Sequence, residues 1–278
     1  MCVGVAGLVV NDALAKALTA HYPPLQILFV RNAFALPMIV ATVLALGGRS
    51  ALRTSHLRLH AFRGLLLTGG AGLFFSGLAV LPLAEATALI FAAPIFITAL
   101  SVPLLRESVG WRRWTAVIVG FLGVLIIVRP GGTTFQPASL YVVGTALSYA
   151  LFMISARWID RREGAWTMTV YVVLFPLLFS GLAVPFAWQP LQAPHLPLFL
   201  AQAVFGTLSM MLITQAFRQA PAAIVAPFDY TALVWASLLG WLVWGEIPDD
   251  WTYAGAAVII ASGLYIVIRE TRLARRPR

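Results

Sequence analysis

The sequence predicts an all-α membrane protein of ten transmembrane helices, arranged as two inverted five-helix repeats. Three observations carry that expectation: the composition, the spacing of the apolar runs, and an internal similarity between the two halves. Of 278 residues, 60% are hydrophobic and 10% charged, whereas a soluble domain carries about 25% charged residues. Lipid removes the need to cover the remaining apolar surface with charge. The net charge of +9 resides in arginines clustered between apolar runs. That pattern suits loops facing anionic lipid rather than a nucleic-acid groove. The single cysteine, Cys2, excludes an internal disulfide. His21, His56, His60 and His195 lie near segment ends, so no histidine metal site and no cofactor are expected. Asp12 and Lys16 interrupt a first segment that lacks a basic flank, which argues against a cleavable signal peptide.

A helix needs about 20 mostly apolar residues to cross the hydrocarbon core. Apolar runs between polar breaks place spans at 2–20, 24–46, 61–80, 83–105, 112–129, 138–157, 166–187, 196–217, 221–244 and 252–268. Pro23-Pro24, Gly47-Gly48, Pro130-Gly131-Gly132, Pro190, Pro194, Pro197 and Pro248 mark the breaks. Basic residues set the orientation. Sixteen of the nineteen lie in one set of loops and the tail: Arg49, Arg53, Arg58 and Arg63; Arg106, Arg112 and Arg113; Arg157, Arg161 and Arg162; Arg218; and Arg269, Arg272, Arg275, Arg276 and Arg278. The opposite loops carry only Arg129. Both termini are therefore expected in the cytoplasm of a bacterium, with the chain in its inner membrane. Trp111, Trp114, Trp158, Trp166, Trp188, Trp241, Trp244 and Trp251 stand near span ends, as an aromatic belt requires.

The chain resembles itself at an offset of 139 residues. Leu81-Pro82-Leu83-Ala84 through Glu107 and Trp114 matches Ala220-Pro221-Ala222-Ala223 through Glu246 and Tyr253, and Pro37 matches Pro176. Five spans per half force the second half to insert upside down. The loop after Glu107 carries Arg112 and Arg113, while its counterpart after Glu246 carries Asp249 and Asp250, so equivalent loops have exchanged charge. The halves are drawn at 1–133 and 134–278. Inverted repeats recur in transporters, with the substrate site near mid-membrane at the repeat interface.

Residues 81–131, LPLAEATALIFAAPIFITALSVPLLRESVGWRRWTAVIVGFLGVLIIVRPG, and 226–267, APFDYTALVWASLLGWLVWGEIPDDWTYAGAAVIIASGLYIV, carry a further likeness. Each shows a proline-containing span closed by a Glu and followed by a glycine-containing span. In this the chain resembles the EamA branch of the drug/metabolite transporters. The resemblance implies a monomeric carrier of a small molecule, with amino-acid export, aromatic amino acids in particular, as the first expectation and S-adenosylmethionine as an alternative. It also implies a central cavity lined by spans one, three, four, six, eight and nine, with spans five and ten at the periphery. No P-loop, HExxH or GxSxG is present, so ATP-driven transport and intramembrane catalysis are not expected. A passive pore remains the other alternative.

Charges inside a membrane usually face a cavity or a partner. Asp12 and Lys16 share a face at i, i+4, either as a self-neutralising pair near the surface or as cavity charges for a zwitterionic substrate. Arg31 either snorkels to the interface or serves a gate or substrate. Asp229 follows Pro227 and is flanked by Phe228 and Tyr230. It is read as a cation or proton site on the pathway, or as an interhelical hydrogen bond. Pro94 interrupts the equivalent span four, leaving backbone carbonyls available to a ligand. Glu85, Glu107 and Glu246 are read as helix-end or loop-fixing groups. Trp235 lies deep in a span. With Phe91, Tyr149, Phe152, Phe96, Phe74 and Phe75 it forms a candidate aromatic lining, against the plainer alternative of packing or lipid contact. Gly64, Gly69, Gly70, Gly72, Ser76 and Gly77 make span three a helix built for close contact.

Overall fold

The computed structural model describes residues 1–48, 52–106, 110–130, 135–159, 163–219 and 226–274. Of the residues singled out above, Arg49, Glu107, Gly131, Gly132, Arg161, Arg162, 220–223, Arg275, Arg276 and Arg278 lie outside that set. So do the side chains of Arg113, Arg218, Pro227, Arg269 and Arg272.

The described chain is helical from end to end: α1 (Cys2–Thr19), α2 (Pro24–Leu46), α3 (Leu57–Leu78), α4 (Leu83–Ile90), α5 (Ala93–Leu105), α6 (Trp111–Val128), α7 (Ala138–Ser155), α8 (Ala165–Ala183), α9 (Leu196–Gln219), α10 (Thr231–Trp244) and α11 (Asp250–Ala274). A 3₁₀ segment, Ala226–Tyr230, precedes α10. Helices α4 and α5 form one broken span. Eight spans are long and apolar enough to cross a membrane, and the shorter apolar helices Trp114–Val128 and Phe228–Trp244 complete ten. The spans begin and end within a few residues of the positions read from sequence. Span nine, expected from 221, is the exception: 221–225 lie outside the described residues, Ala226–Tyr230 is a 3₁₀ segment and α10 begins at Thr231. Smaller differences are α3, which starts at Leu57, and α11, which runs to Ala274.

The helix ends follow local chemistry. Pro24 occupies the first turn of α2, where a missing N–H costs nothing. Gly245 adopts φ +68° and closes α10 with a left-handed residue. In α2, α5 and α8 the internal prolines Pro37, Pro103 and Pro176 leave the helix continuous.

The bundle is assembled by pairing helices from the two halves. α1 packs along α9, α3 along α7, α2 along α8, and α6 along α11. Glycine permits the closest approaches. A Cβ on Gly123 would stand 2.9 Å from the Gly255 carbonyl, and one on Gly255 would stand 2.7 Å from that of Gly123. Along α3, Gly64, Gly70 and Gly77 face Phe175, Ser148 and Val142, while Gly69 faces open space. One continuous apolar core runs through α1–α7, α9, α10 and α11, with Leu18, Ile27, Leu78, Leu83, Leu89 and Phe199 fully buried.

Candidate functional site

Proline creates the break in span four. Pro94 has no N–H to give the carbonyl of Ile90, so α4 stops at Ile90 and the chain turns through Phe91 and Ala92 before α5. The 3₁₀ segment ahead of α10 brings Tyr230 against this break, and the Phe91 and Tyr230 rings meet edge to face at 5.0 Å. The Tyr230 hydroxyl presses on Gly263 of α11. Two interruptions, one in each half, therefore lie side by side. Beyond them the halves diverge: α4 packs on α10, whereas α5 leans on α6 and α7.

Asp229 sits half-buried in this 3₁₀ segment and makes no hydrogen bond or ion pair with any described residue. The Tyr149 and Tyr230 hydroxyls lie within electrostatic reach of its carboxylate. Tyr149 is 42% exposed. Phe152, one turn on, is packed beneath the Arg63 guanidinium at 4.1 Å. Trp235 packs on the core, and its Nε1–H is buried without an acceptor. The aromatic set is thus divided. Tyr149, Tyr230 and Phe91 gather around Asp229 or the break, whereas Phe75 and Phe152 are buried packing residues.

Lys16 corrects the expected i, i+4 pair. It does not bond Asp12. Its ammonium reaches Glu246 at 2.6 and 2.8 Å and the Leu81 carbonyl at 2.7 Å, and lies 5.2 Å from the Trp244 ring. Glu246 also accepts the Leu83 N–H at 3.1 Å. One ion pair therefore ties the ends of α1 and α10 to the α3–α4 turn. The long lysine stem favours it, since Glu246 offers both carboxylate oxygens at the mouth of the bundle. Glu246 is the loop-fixing group expected from sequence, but its partner, 230 residues away, left no signal in local spacing. Asp12 instead accepts from Asn11 Nδ2 at 2.9 Å. Arg31 donates to Asn32 at 3.2 Å and faces Asp12 across the bundle interior without forming an ion pair.

At the same end as Lys16, Arg129 pairs with Asp249 at 2.7 Å. Asp249 also caps α11, accepting the Thr252 N–H at 2.8 Å and its hydroxyl at 2.6 Å. Partial burial acts to raise the Asp249 pKa. The Thr252 hydrogen bonds and Arg129 outweigh it and hold the carboxyl below the usual carboxylate value. The single basic residue of that loop set is thereby neutralised. At the opposite end, Glu163 accepts from Thr54 at 2.5 Å and meets His60 Nε2 at 2.7 Å. Burial works against its charge, but these bonds and the nearby His60 and His56 rings lower its pKa overall. Local spacing gives no signal for Glu163, because its partners Thr54 and His60 lie more than 100 residues away, in the loop before α3 and on α3 itself.

The chain is similar to known proteins over nearly its whole length. The EamA-like transporter family matches residues 1–129 and 136–268. A riboflavin transporter of Vibrio cholerae is 34% identical over 99% of this chain and 93% of its own length. An S-adenosylmethionine uptake transporter of Rickettsia bellii is 30% identical over 94% and 90%. A pseudopaline exporter of Pseudomonas aeruginosa is 30% identical over 91% and 89%. A crystal structure with 21% identity superposes with a TM-score of 0.64, covering 98% of this chain and 97% of that one, and agrees in fold. Two family matches in tandem, ten helices and relatives aligned end to end lead to one conclusion: this chain belongs to the EamA-like transporter family.

Proposed function

We propose that this protein is a secondary carrier for a small metabolite combining an aromatic ring with a positive charge, of which S-adenosylmethionine is the first to test. The observation that carries the reading is Asp229: a half-buried carboxylate with no hydrogen bond or ion pair among the described residues, within electrostatic reach of the part-exposed Tyr149. An uncompensated charge inside a bundle is expensive and implies a cation that visits it. Aromatic faces add to the attraction for a cation and stack on a heterocycle. S-adenosylmethionine and riboflavin, for which relatives are named, both contain a flat heterocycle. Aromatic amino acids have the ring but no net charge, so Asp229 favours them less. Relatives named for uptake and for export are equally similar. A carrier without an ATP site moves substrate in the direction its gradients dictate, so export is a property of conditions rather than of the fold. Within this reading the protein works as a monomer in a bacterial inner membrane, as inverted halves 1–133 and 134–278, with both termini cytoplasmic.

The test is counterflow in proteoliposomes with labelled S-adenosylmethionine, riboflavin and phenylalanine. Trans-stimulated S-adenosylmethionine flux that falls at least about tenfold in Asp229→Asn supports the reading, a loss expected from one charged contact. S-adenosylmethionine flux that is absent or indifferent to Asp229→Asn defeats it, as does flux without trans-stimulation, which marks a pore.

A further inference from the structure

We infer that Asp12 and Arg31 form an open clamp for the zwitterionic head of an α-amino acid, whether free or part of a larger metabolite. The inference adds a second contact to the proposed carrier and rests on that reading only for the route by which the ligand arrives.

Both residues lie inside their spans, on neighbouring helices α1 and α2. Each keeps partial exposure although it stands within a membrane-spanning helix. Each is held by the asparagine beside it: Asn11 Nδ2 donates to Asp12 Oδ1, and Arg31 Nη2 donates to Asn32 Oδ1. Asn11 is in turn wedged against Gly206 of α9, where a Cβ would stand 3.0 Å from Asn11 Oδ1. The charges feel one another but do not close into an ion pair.

That open arrangement is the informative feature. In a medium of low polarity, an acid and a base within reach of each other gain by closing. Staying apart leaves Arg31 with one of its five donors engaged and Asp12 with one described acceptor contact. Asn32 Nδ2 adds a buried donor with no acceptor. The unused capacity is thus donors at one pole and a carboxylate at the other. An α-amino acid presents the complement: a carboxylate for Arg31 and Asn32, and an ammonium for Asp12, joined through a single carbon. A simple cation would leave Arg31 unsatisfied, and a simple anion would leave Asp12 so. Lys16 does not compete for the carboxylate, because Glu246 and Leu81 already hold it.

The test separates the head from the rest of the ligand. Wild-type protein in nanodiscs is titrated with S-adenosylmethionine, its decarboxylated form and methylthioadenosine, and with phenylalanine and phenethylamine. The clamp predicts that removing the carboxylate weakens binding about tenfold or more, the cost of one charge-assisted contact. It also predicts that Arg31→Gln erases that difference and that Arg31→Lys restores part of it. Asp12→Asn should erase discrimination between phenylalanine and its N-acetyl derivative. If phenylalanine binds with this pattern and S-adenosylmethionine does not bind, the clamp stands and the proposed cargo is wrong. If S-adenosylmethionine and its headless analogues bind equally, the clamp is wrong and the carrier reading survives. Failure of every zwitterion to bind overturns the clamp. The wild-type analogue series decides the matter even where a variant does not fold.

Discussion

At the scale of single residues, the long-range pairs are the features that local spacing failed to reveal. Asp12 and Lys16 stand four apart and invite pairing, yet the ammonium turns to Glu246. Whether two charges meet is decided by tertiary packing, to which an i, i+4 rule is blind. The Lys16–Glu246 pair is expected to show a coupling of about 1–3 kcal/mol in a double-mutant cycle. Lys16→Met and Glu246→Gln are compared singly and together by thermal unfolding in detergent, and additive effects would reduce the pair to a surface contact. Glu163 supplies a pH test. Its pKa in the fold is below the ordinary 4.5, so the fold favours the carboxylate. That stabilisation is complete above pH 4.5 and is lost as pH falls through the lower folded value. Glu163→Gln should therefore lower the melting temperature at pH 7, and the gap to wild type should close as pH falls through that lower value. A constant gap across that range would contradict the assignment.

At the scale of elements, nearly every span was legible. Apolar runs of about 20 residues bounded by Pro and Gly leave few alternatives. The break in span four was legible at Pro94, because a missing N–H has one consequence wherever it occurs. Less legible was which faces meet, since an apolar helix surrounded by lipid shows little periodicity to betray its inward side. Glycine supplies part of that missing information. Gly123 and Gly255 oppose one another where α6 crosses α11. Gly123→Leu should destabilise the protein by about 1–3 kcal/mol through overpacking. Gly69→Leu, facing open space, should be close to neutral. Melting both variants in the same detergent compares them directly, and equal losses would show that glycine content rather than contact governs α3 and α6.

At the scale of the whole molecule, the asymmetry of the central pair of spans carries the mechanism. α4 and α10 pack together at the end where Lys16 holds Glu246, and among the described residues α5 packs on α6 and α7 rather than on α10. On the proposed carrier reading, the Lys16–Glu246 pair serves to close the Lys16 side. On the same reading, the arginine bias places the Lys16 side outside the cell and the opposite side in the cytoplasm. Three exposed positions test this: Gln136 and Asp250 on the proposed outer side, and Arg53 on the inner. In a Cys2→Ser background, single cysteines are placed at each and treated in intact cells with a membrane-impermeant maleimide. Labelling at Gln136 and Asp250 but not at Arg53 is expected, and the reverse pattern would overturn the orientation. A cysteine at Tyr149, which is part-exposed, then reports on the cycle. In inside-out vesicles it should react readily if the proposed cytoplasmic side is the open one. Glu246→Gln weakens the outer closure and should shift its reactivity toward intact cells. If Tyr149→Cys stays unreactive from outside in that variant while transport is unimpaired, the ion pair only braces the fold and gating lies elsewhere.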